Sequence, residues 1–411
     1  MLITQIKAEN FNGIKDPIKV LFTEGGEIEK IGYVNLGKDR ISLISGFYGA
    51  NASGKTTVLN IIDVLYKLMF NRQAEFVVSP LNGIKEETVL LIPNRHNDMQ
   101  GKSSILGIDF VINSNRFSYL LSVYNNGKEI ANEKLVKNGK TIFDRNEGKI
   151  TFDKKVRTNL GTISQKIVPP KKSSFLSVVL SEDSDVSVFG NIKEVMGISE
   201  LAQIKNKACF ITDKRDIGDL FSPVSDVSDA TEQVRNKYLK DINEAIRYFE
   251  PSFEKLIIEK MSAHTIKYEA KYRDFYTGLP VFELSSGTRE LISFTKPILN
   301  ILRYGGIVVY DETSKYLHSD MEIAILNLFK NKNINKHNAQ IFFASHNHET
   351  IDLLHNDQAH IVEKEGNNIV VSKVSDYAVK ERDNIKKKYR AGMLGGTPDT
   401  IEFERVINNL V

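Results

Sequence analysis

Residues 49–56 read Gly-Ala-Asn-Ala-Ser-Gly-Lys-Thr, two glycines five apart followed by Lys55 and Thr56. This octapeptide constrains the fold more than any other stretch, because it needs a strand before it and a helix after it. Its glycines let backbone N–H groups turn inward around phosphate oxygens, and a helix N-terminus behind them adds partial positive charge. Both flanks are present. Residues 41–45 form an alternating apolar run that reads as a strand, and residues 57–65 carry apolar side chains at helical spacing. Gly49, Ala50, Asn51, Ala52, Ser53, Gly54, Lys55, Thr56 and Thr57 are therefore a candidate phosphate cradle. Lys55 would reach the β- and γ-phosphates of a nucleoside triphosphate, and the Thr56 hydroxyl would hold Mg²⁺.

A second block begins at Glu283. Leu284-Ser285-Ser286-Gly287-Thr288-Arg289-Glu290 leads into a helix expected over residues 290–302, which Gly305-Gly306 ends. Residues 307–310 are four consecutive apolar residues followed by Asp311 and Glu312. That is a buried parallel-type strand with carboxylates at its C-terminal end, where ligands gather in open α/β sheets. Asp311 is placed to bind Mg²⁺, directly or through water, and Glu312 to polarise an attacking water as general base. A helix over 319–329 follows, then a strand over 340–344 running into Ser345-His346. A histidine there can bond a γ-phosphate. Ser285, Ser286 and Gly287 precede a helix, so they either hold a second anion or simply cap it, and spacing does not choose.

Composition narrows the remaining classes. A single cysteine, Cys209, excludes an intrachain disulfide and a cysteine-based metal site, which suits a reducing cytoplasm. No run approaches the ~18 apolar residues of a membrane helix, and the N-terminus alternates like a strand rather than a signal peptide. The expectation is a cytoplasmic protein with no membrane partner. A net charge of +3 is too small to argue for nucleic acid by itself. His346, His348, His355 and His360 match no zinc spacing. The run 380–390 holds six positive and two negative residues, a solvated helix face or a nucleic-acid contact.

The expected fold class is α/β: a P-loop NTPase with a mixed central sheet, an antiparallel β part and a helical insertion. By segment, 1–104 forms an N-terminal lobe with the glycine loop. Residues 105–165 are short β-type runs separated by turns at Asn113-Ser114-Asn115, Asn125-Asn126-Gly127 and Asn138-Gly139. Residues 166–280 are mainly helical, with strands near 253–260 and 264–273. Residues 281–375 form a C-terminal lobe, and 376–411 a basic tail with a helix over 376–390.

The motifs GANASGKT, LSSGTRE, IVVYDE and FFASHN, in that order, resemble the ABC-type ATPase heads of the SMC, RecF and OLD-nuclease group. The likeness is closest to stand-alone prokaryotic AAA-type ATPases of the RloA kind, found with restriction and abortive-infection genes, and includes DETSKYLH, ASHNHETID and YRAGMLGGTP. The resemblance implies ATP and Mg²⁺ as ligands and a homodimer or higher oligomer, with ATP sandwiched between heads. Ser285 and Gly287 would contact the γ-phosphate held at the other subunit's Lys55, while Glu312 and His346 complete the site in cis. His318 matches a histidine near the dimer seam. Two departures stand out: Ser-Ser-Gly-Thr replaces the Ser-Gly-Gly-Gln of transporters, and Tyr316 stands where a small residue is usual. For the Q-loop glutamine both Gln73 and Gln100 are candidates.

The function this implies is an ATP-hydrolysing switch in bacterial anti-phage defence that controls a separate effector, a nuclease or toxin encoded nearby, since no nuclease motif is visible. The alternative is a RecF-like DNA-maintenance ATPase that binds duplex DNA, which leaves a nucleic-acid partner open. A transporter subunit fits poorly, because Ser285 follows Lys55 by well over two hundred residues. A GTPase fits poorly because no Asn-Lys-x-Asp follows the glycine loop.

Overall fold

The computed structural model describes residues 1–26, 29–70, 75–77, 88–90, 94–124, 129–181, 192–205, 207–211, 232–261, 266–312, 317–379, 383–397 and 405. Its central six-stranded sheet has the spatial order Ala208–Ile211, Ile307–Tyr310, Gln340–Ala344, Ile44–Tyr48, Ala359–Glu365, Asn368–Lys373. The first five run parallel and the last turns back antiparallel. Gln340–Ala344, late in the chain, thus separates the strand before the glycine loop from the strand before Asp311.

The unbroken apolar runs of these strands follow from burial on both faces. Successive side chains point to opposite sides, so Ile307, Val309, Phe342 and Ala344 enter one core while Val308, Tyr310, Ile341 and Phe343 enter the other. The first core also holds the helix Lys55–Phe70 and a seven-stranded antiparallel sheet, in the order Lys149–Phe152, Lys140–Asn146, Ile130–Lys137, Asn115–Val123, Ser104–Ile112, Leu2–Glu9, Ile18–Leu21. The helix packs against strands of both sheets, which is why eleven of its side chains are buried rather than a single stripe. The second core is covered by the helices Glu232–Phe249, Ser286–Tyr304 and Ser319–Lys330 and by a small sheet of Phe253–Lys260, Ile266–Tyr272 and Leu279–Pro280.

Gln340, fully buried, joins the two large sheets. Its Oε1 accepts from the Ile3 N–H at 2.6 Å, and its Nε2 donates to the Ile3 and Ser42 carbonyls at 3.0 and 2.7 Å. Buried polar groups must be satisfied, and this side chain does so while tying the N-terminal strand to the middle of the core sheet.

Several sequence expectations need correction. The run 41–45 is not one strand: Asp39–Ser42 belongs to a small separate sheet and Ile44–Tyr48 to the core. Ser42 makes the break, its hydroxyl donating to the Ile44 carbonyl and accepting from the Ile44 N–H in place of ladder bonds. The mainly helical stretch 166–280 also holds an unexpected strand, Ala208–Ile211, which forms the edge of the core sheet. Four residues without a flanking pattern gave no signal for it. The signature helix starts earlier than 290, at Ser286, because Ser285 caps it. The hairpin sheet gains Lys149–Phe152 and pairs with the N-terminal strand across residue 104. The tail helix is Ile385–Arg390, capped by Asn384, while Val374–Asp376 is a single 3₁₀ turn. The turn at 125–127 lies outside the described residues.

Candidate nucleotide site

Strand register assembles the site. Tyr310, Phe343 and Gly46 occupy one row across the sheet, and Ala344 pairs with Phe47 one row on. The loops that begin at Asp311, Ser345 and Gly49 therefore leave the same C-terminal edge side by side, the position where open α/β sheets bind ligands.

The glycine loop is shaped by close neighbours. A Cβ on Gly49 would lie 2.3 Å from the Val362 carbonyl oxygen, and one on Gly54, whose φ is +108°, would lie 2.3 Å from Ile369 Cδ1. Ala52 takes a left-handed φ of +62° that favours glycine. The helix starts at Lys55, so the loop N–H groups sit at its positive end. Lys55 is buried, and its Nζ donates to the carbonyls of Gly49 and Ala50 at 2.9 and 3.0 Å. Burial pulls its pKa down, against the pull of Asp311 and Glu312. Ala50 and Gly54 are half-buried, Asn51, Ala52 and Thr56 exposed, and Thr57 half-buried. Ser53 is buried and its Oγ has no hydrogen-bond partner.

Across the edge, the Thr56 side chain hydrogen-bonds the Asp311 carboxylate, whose Oδ1 is buried without a partner. Burial, and the neighbouring charge of Glu312, push the Asp311 pKa up against the Thr56 bond and Lys55. An orphaned buried carboxylate oxygen beside a hydroxyl is a donor set that suits a hard cation such as Mg²⁺. Glu312 is half-buried with φ of +53°, a conformation that costs a non-glycine residue about 1–2 kcal/mol. Such strain gathers at functional sites. His346 lies at the same edge, largely open to solvent by surface area but with its ring partly desolvated by the surrounding loops, which, with Lys55, lowers its pKa against the pull of Glu312. Lys55, Thr56, Asp311, Glu312 and His346 thus share one electrostatic neighbourhood.

The signature residues do not join it in the same chain. Ser285 caps the helix Ser286–Tyr304, its Oγ accepting from the Thr288 N–H at 3.1 Å. Its Oγ also lies 2.7 Å from Thr288 Oγ1, which in turn donates to Glu250 Oε1. Because Thr288 gives its one hydroxyl proton to Glu250, Ser285 must give its own to Thr288. Ser285 and Ser286 are exposed and Gly287 is half-buried. Among the described residues, none of the three makes a hydrogen bond or ion pair with residues 49–57.

The family model described as "AAA domain, putative AbiEii toxin, Type IV TA system" matches residues 44–352, more than half of the chain. The chain belongs to this AAA family. No curated protein matches it. Among solved structures, an SMC head bound to the C-terminal winged-helix domain of ScpA is 13% identical with a TM-score of 0.46, over 92% of this chain and 99% of that one. The SMC head domain from Thermotoga maritima is 12% identical with a TM-score of 0.39, over 91% and 99%.

Other sequence candidates in this AAA-family chain fall in varied places. His318 is the exposed N-cap of the helix Ser319–Lys330, its Nδ1 accepting from the Asp320 N–H at 3.3 Å. Gln100 is exposed at the end of a 3₁₀ turn, while Gln73 and Tyr316 lie outside the described residues. The four histidines near 346–360 do not converge. His348 packs on Tyr389, His355 on Tyr33, and His360 is buried between Phe22 and Phe47. Among the described residues, no three His, Cys, Asp or Glu side chains form a metal cluster. The basic run is partly neutralised: Lys386 pairs with Glu349 and Asp352, and Lys388 with Asp383. No helix among the described residues is long and apolar enough to cross a membrane.

Sequence reasoning missed two supporting acids. Buried Glu322 accepts from Asn347 Nδ2 at 2.9 Å and so anchors the His346 loop, and Glu290 accepts from the Tyr310 hydroxyl. Both lie on helix faces where a Glu ordinarily meets solvent, so no local signal marks them.

Proposed function

We propose that this AAA-family ATPase domain is an ATP-driven switch: it binds and hydrolyses ATP to ADP and phosphate with Mg²⁺, and two copies close head-to-tail over the nucleotide. The observation that carries the reading is the meeting of Lys55, Thr56, Asp311, Glu312 and His346 at one sheet edge. Thr56 and Asp311 would hold Mg²⁺, which when bound supplies positive charge for the phosphate oxygens. Lys55 binds the β- and γ-phosphates, Glu312 takes a proton from the attacking water, and His346 bonds the γ-phosphate. Ser285, Ser286 and Gly287, exposed or half-buried and away from their own loop, are free to act on the phosphates of a second copy. For that, the Ser285 proton must leave Thr288.

The family description reads "putative AbiEii toxin, Type IV TA system". That description is compatible with a role in bacterial defence; on the motif resemblance we further propose that the switch works in the cytoplasm, in anti-phage defence, on a separate effector. A RecF-like role on duplex DNA is disfavoured by the ion pairs that neutralise part of the basic tail.

The test is the mass in solution of the Glu312→Gln protein with and without ATP and Mg²⁺. A doubled mass only with nucleotide is expected, and a lone subunit under both conditions overturns the switch. Co-purification with products of neighbouring genes tests the effector, and protection of cells by this chain alone would remove it.

A further inference from the structure

The C-terminal segment closes on the glycine loop from outside. Gly396 is buried with φ of +68°, and a Cβ placed on it would lie 2.8 Å from Ile361 Cγ2 and 3.3 Å from Gly49 Cα. Its N–H donates to Glu363 Oε1 at 2.9 Å, and its carbonyl accepts from the Tyr389 hydroxyl at 3.0 Å. Gly395, φ +71°, passes so near Glu363 that a Cβ would meet its Oε1 at 2.3 Å. Both positions take the left-handed φ that favours glycine, and at Gly396 an added Cβ would press on Ile361 and on the Gly49 backbone.

Tyr389 ties this turn to both halves of the site. It is buried, and its ring centroid lies 6.1 Å from that of Tyr48, the residue before Gly49, and 5.2 Å from that of His348, two residues after His346. Gly49 in turn supplies one of the two carbonyls that hold Lys55 Nζ. A continuous path of contacts runs from Glu363 through Gly396 and Gly49 to Lys55, and from Tyr389 to the histidine loop.

We propose that Tyr389 and Gly396 are positioning residues of the nucleotide site, holding the glycine loop and the His346 loop in register, so that the segment 385–397 is part of the ATPase machinery. The inference rests on the reading of residues 49–56 as the triphosphate cradle. It adds that the cradle's geometry is set by a segment far beyond the matched family region, which ends at residue 352.

The test uses the full chain and four variants, with ATP affinity, KM, kcat and the melting temperature without nucleotide measured for each. Gly396→Ala pushes on Gly49 and should raise KM and Kd for MgATP at least about tenfold with kcat nearly kept, since displacements well under 1 Å matter at a phosphate site. Tyr389→Leu removes the ring from His348 and should lower kcat more than it raises KM. Tyr389→Phe keeps the ring and loses only the bond to Gly396, so it should restore kcat while retaining a weakened Kd. Met393→Ala, at an exposed position of the same segment, should match wild type. If Gly396→Ala fails to fold, the Tyr389 pair decides alone. Variants that lower the melting temperature but keep wild-type KM and kcat overturn the inference and leave the ATPase reading standing. A wild-type chain that binds no ATP overturns both.

Discussion

The Tyr310 hydroxyl donates to Glu290 Oε1 at 2.9 Å, so the second turn of the signature helix grips the residue immediately before Asp311. Through it, Ser285 and the Asp311-Glu312 pair sit on one rigid connection, although Ser285 makes no hydrogen bond with its own glycine loop. Tyr310→Phe removes the bond and keeps the ring. Turnover should fall about fivefold, the lower end of ordinary coupling energies, with ATP affinity unchanged. Stopped-flow hydrolysis beside equilibrium ATP binding checks this, and unchanged turnover would mean the helix and the acids act separately.

Glu312→Gln should slow hydrolysis by roughly 10²–10⁴-fold, the scale for losing a general base, while ATP binding persists. The strained backbone at Glu312 is retained by Gln, so the loss reports the carboxylate. Single-turnover phosphate release measures it, and a wild-type rate removes Glu312 from the chemistry.

Ser285→Arg should block closure of two copies while ATP affinity of the single head stays nearly unchanged. Arginine also removes a helix cap, at a cost of about 1 kcal/mol. Ser285→Asp is the companion, because aspartate caps as well as serine yet repels a phosphate. Both variants should stay at monomer mass with ATP and lose turnover. Full activity in the aspartate variant would rule out an in-trans phosphate contact.

Acid should destabilise the fold through His360. This histidine is fully buried between Phe22 and Phe47, and burial, reinforced by the Lys373 charge, lowers its pKa from 6.5 to about 4. The unfolded chain therefore takes up a proton that the folded chain refuses, so its stabilisation is complete above pH 6.5 and drains away as pH falls toward about 4. The full effect is about 3 kcal/mol. Melting temperatures measured across this interval should fall more steeply for wild type than for His360→Phe, and parallel curves would refute the assignment.

The sequence by itself marked out the glycine loop of residues 49–57 and the acids Asp311 and Glu312. Glycine spacing, an apolar strand ending in Asp311-Glu312 and a strand ending before His346 are local patterns, because each needs only its own neighbours to be recognised. It also gave the α/β class and the hairpin sheet. Tertiary structure alone decided the rest. Gln340–Ala344 inserts between two strands that precede it in the chain, and that order, with its register, is what brings His346 to Lys55 and Asp311. Glu290, Glu322 and Gln340 gain their roles from partners distant in sequence, and Tyr389 reaches the site through the rings of Tyr48 and His348. Ser285 could cap a helix or hold an anion by its sequence, and within one chain its hydroxyl is committed to the cap. The physical reason is the same throughout: local patterns fix backbone shape and burial, whereas a hydrogen-bond partner or a shared sheet edge exists only after distant segments have packed.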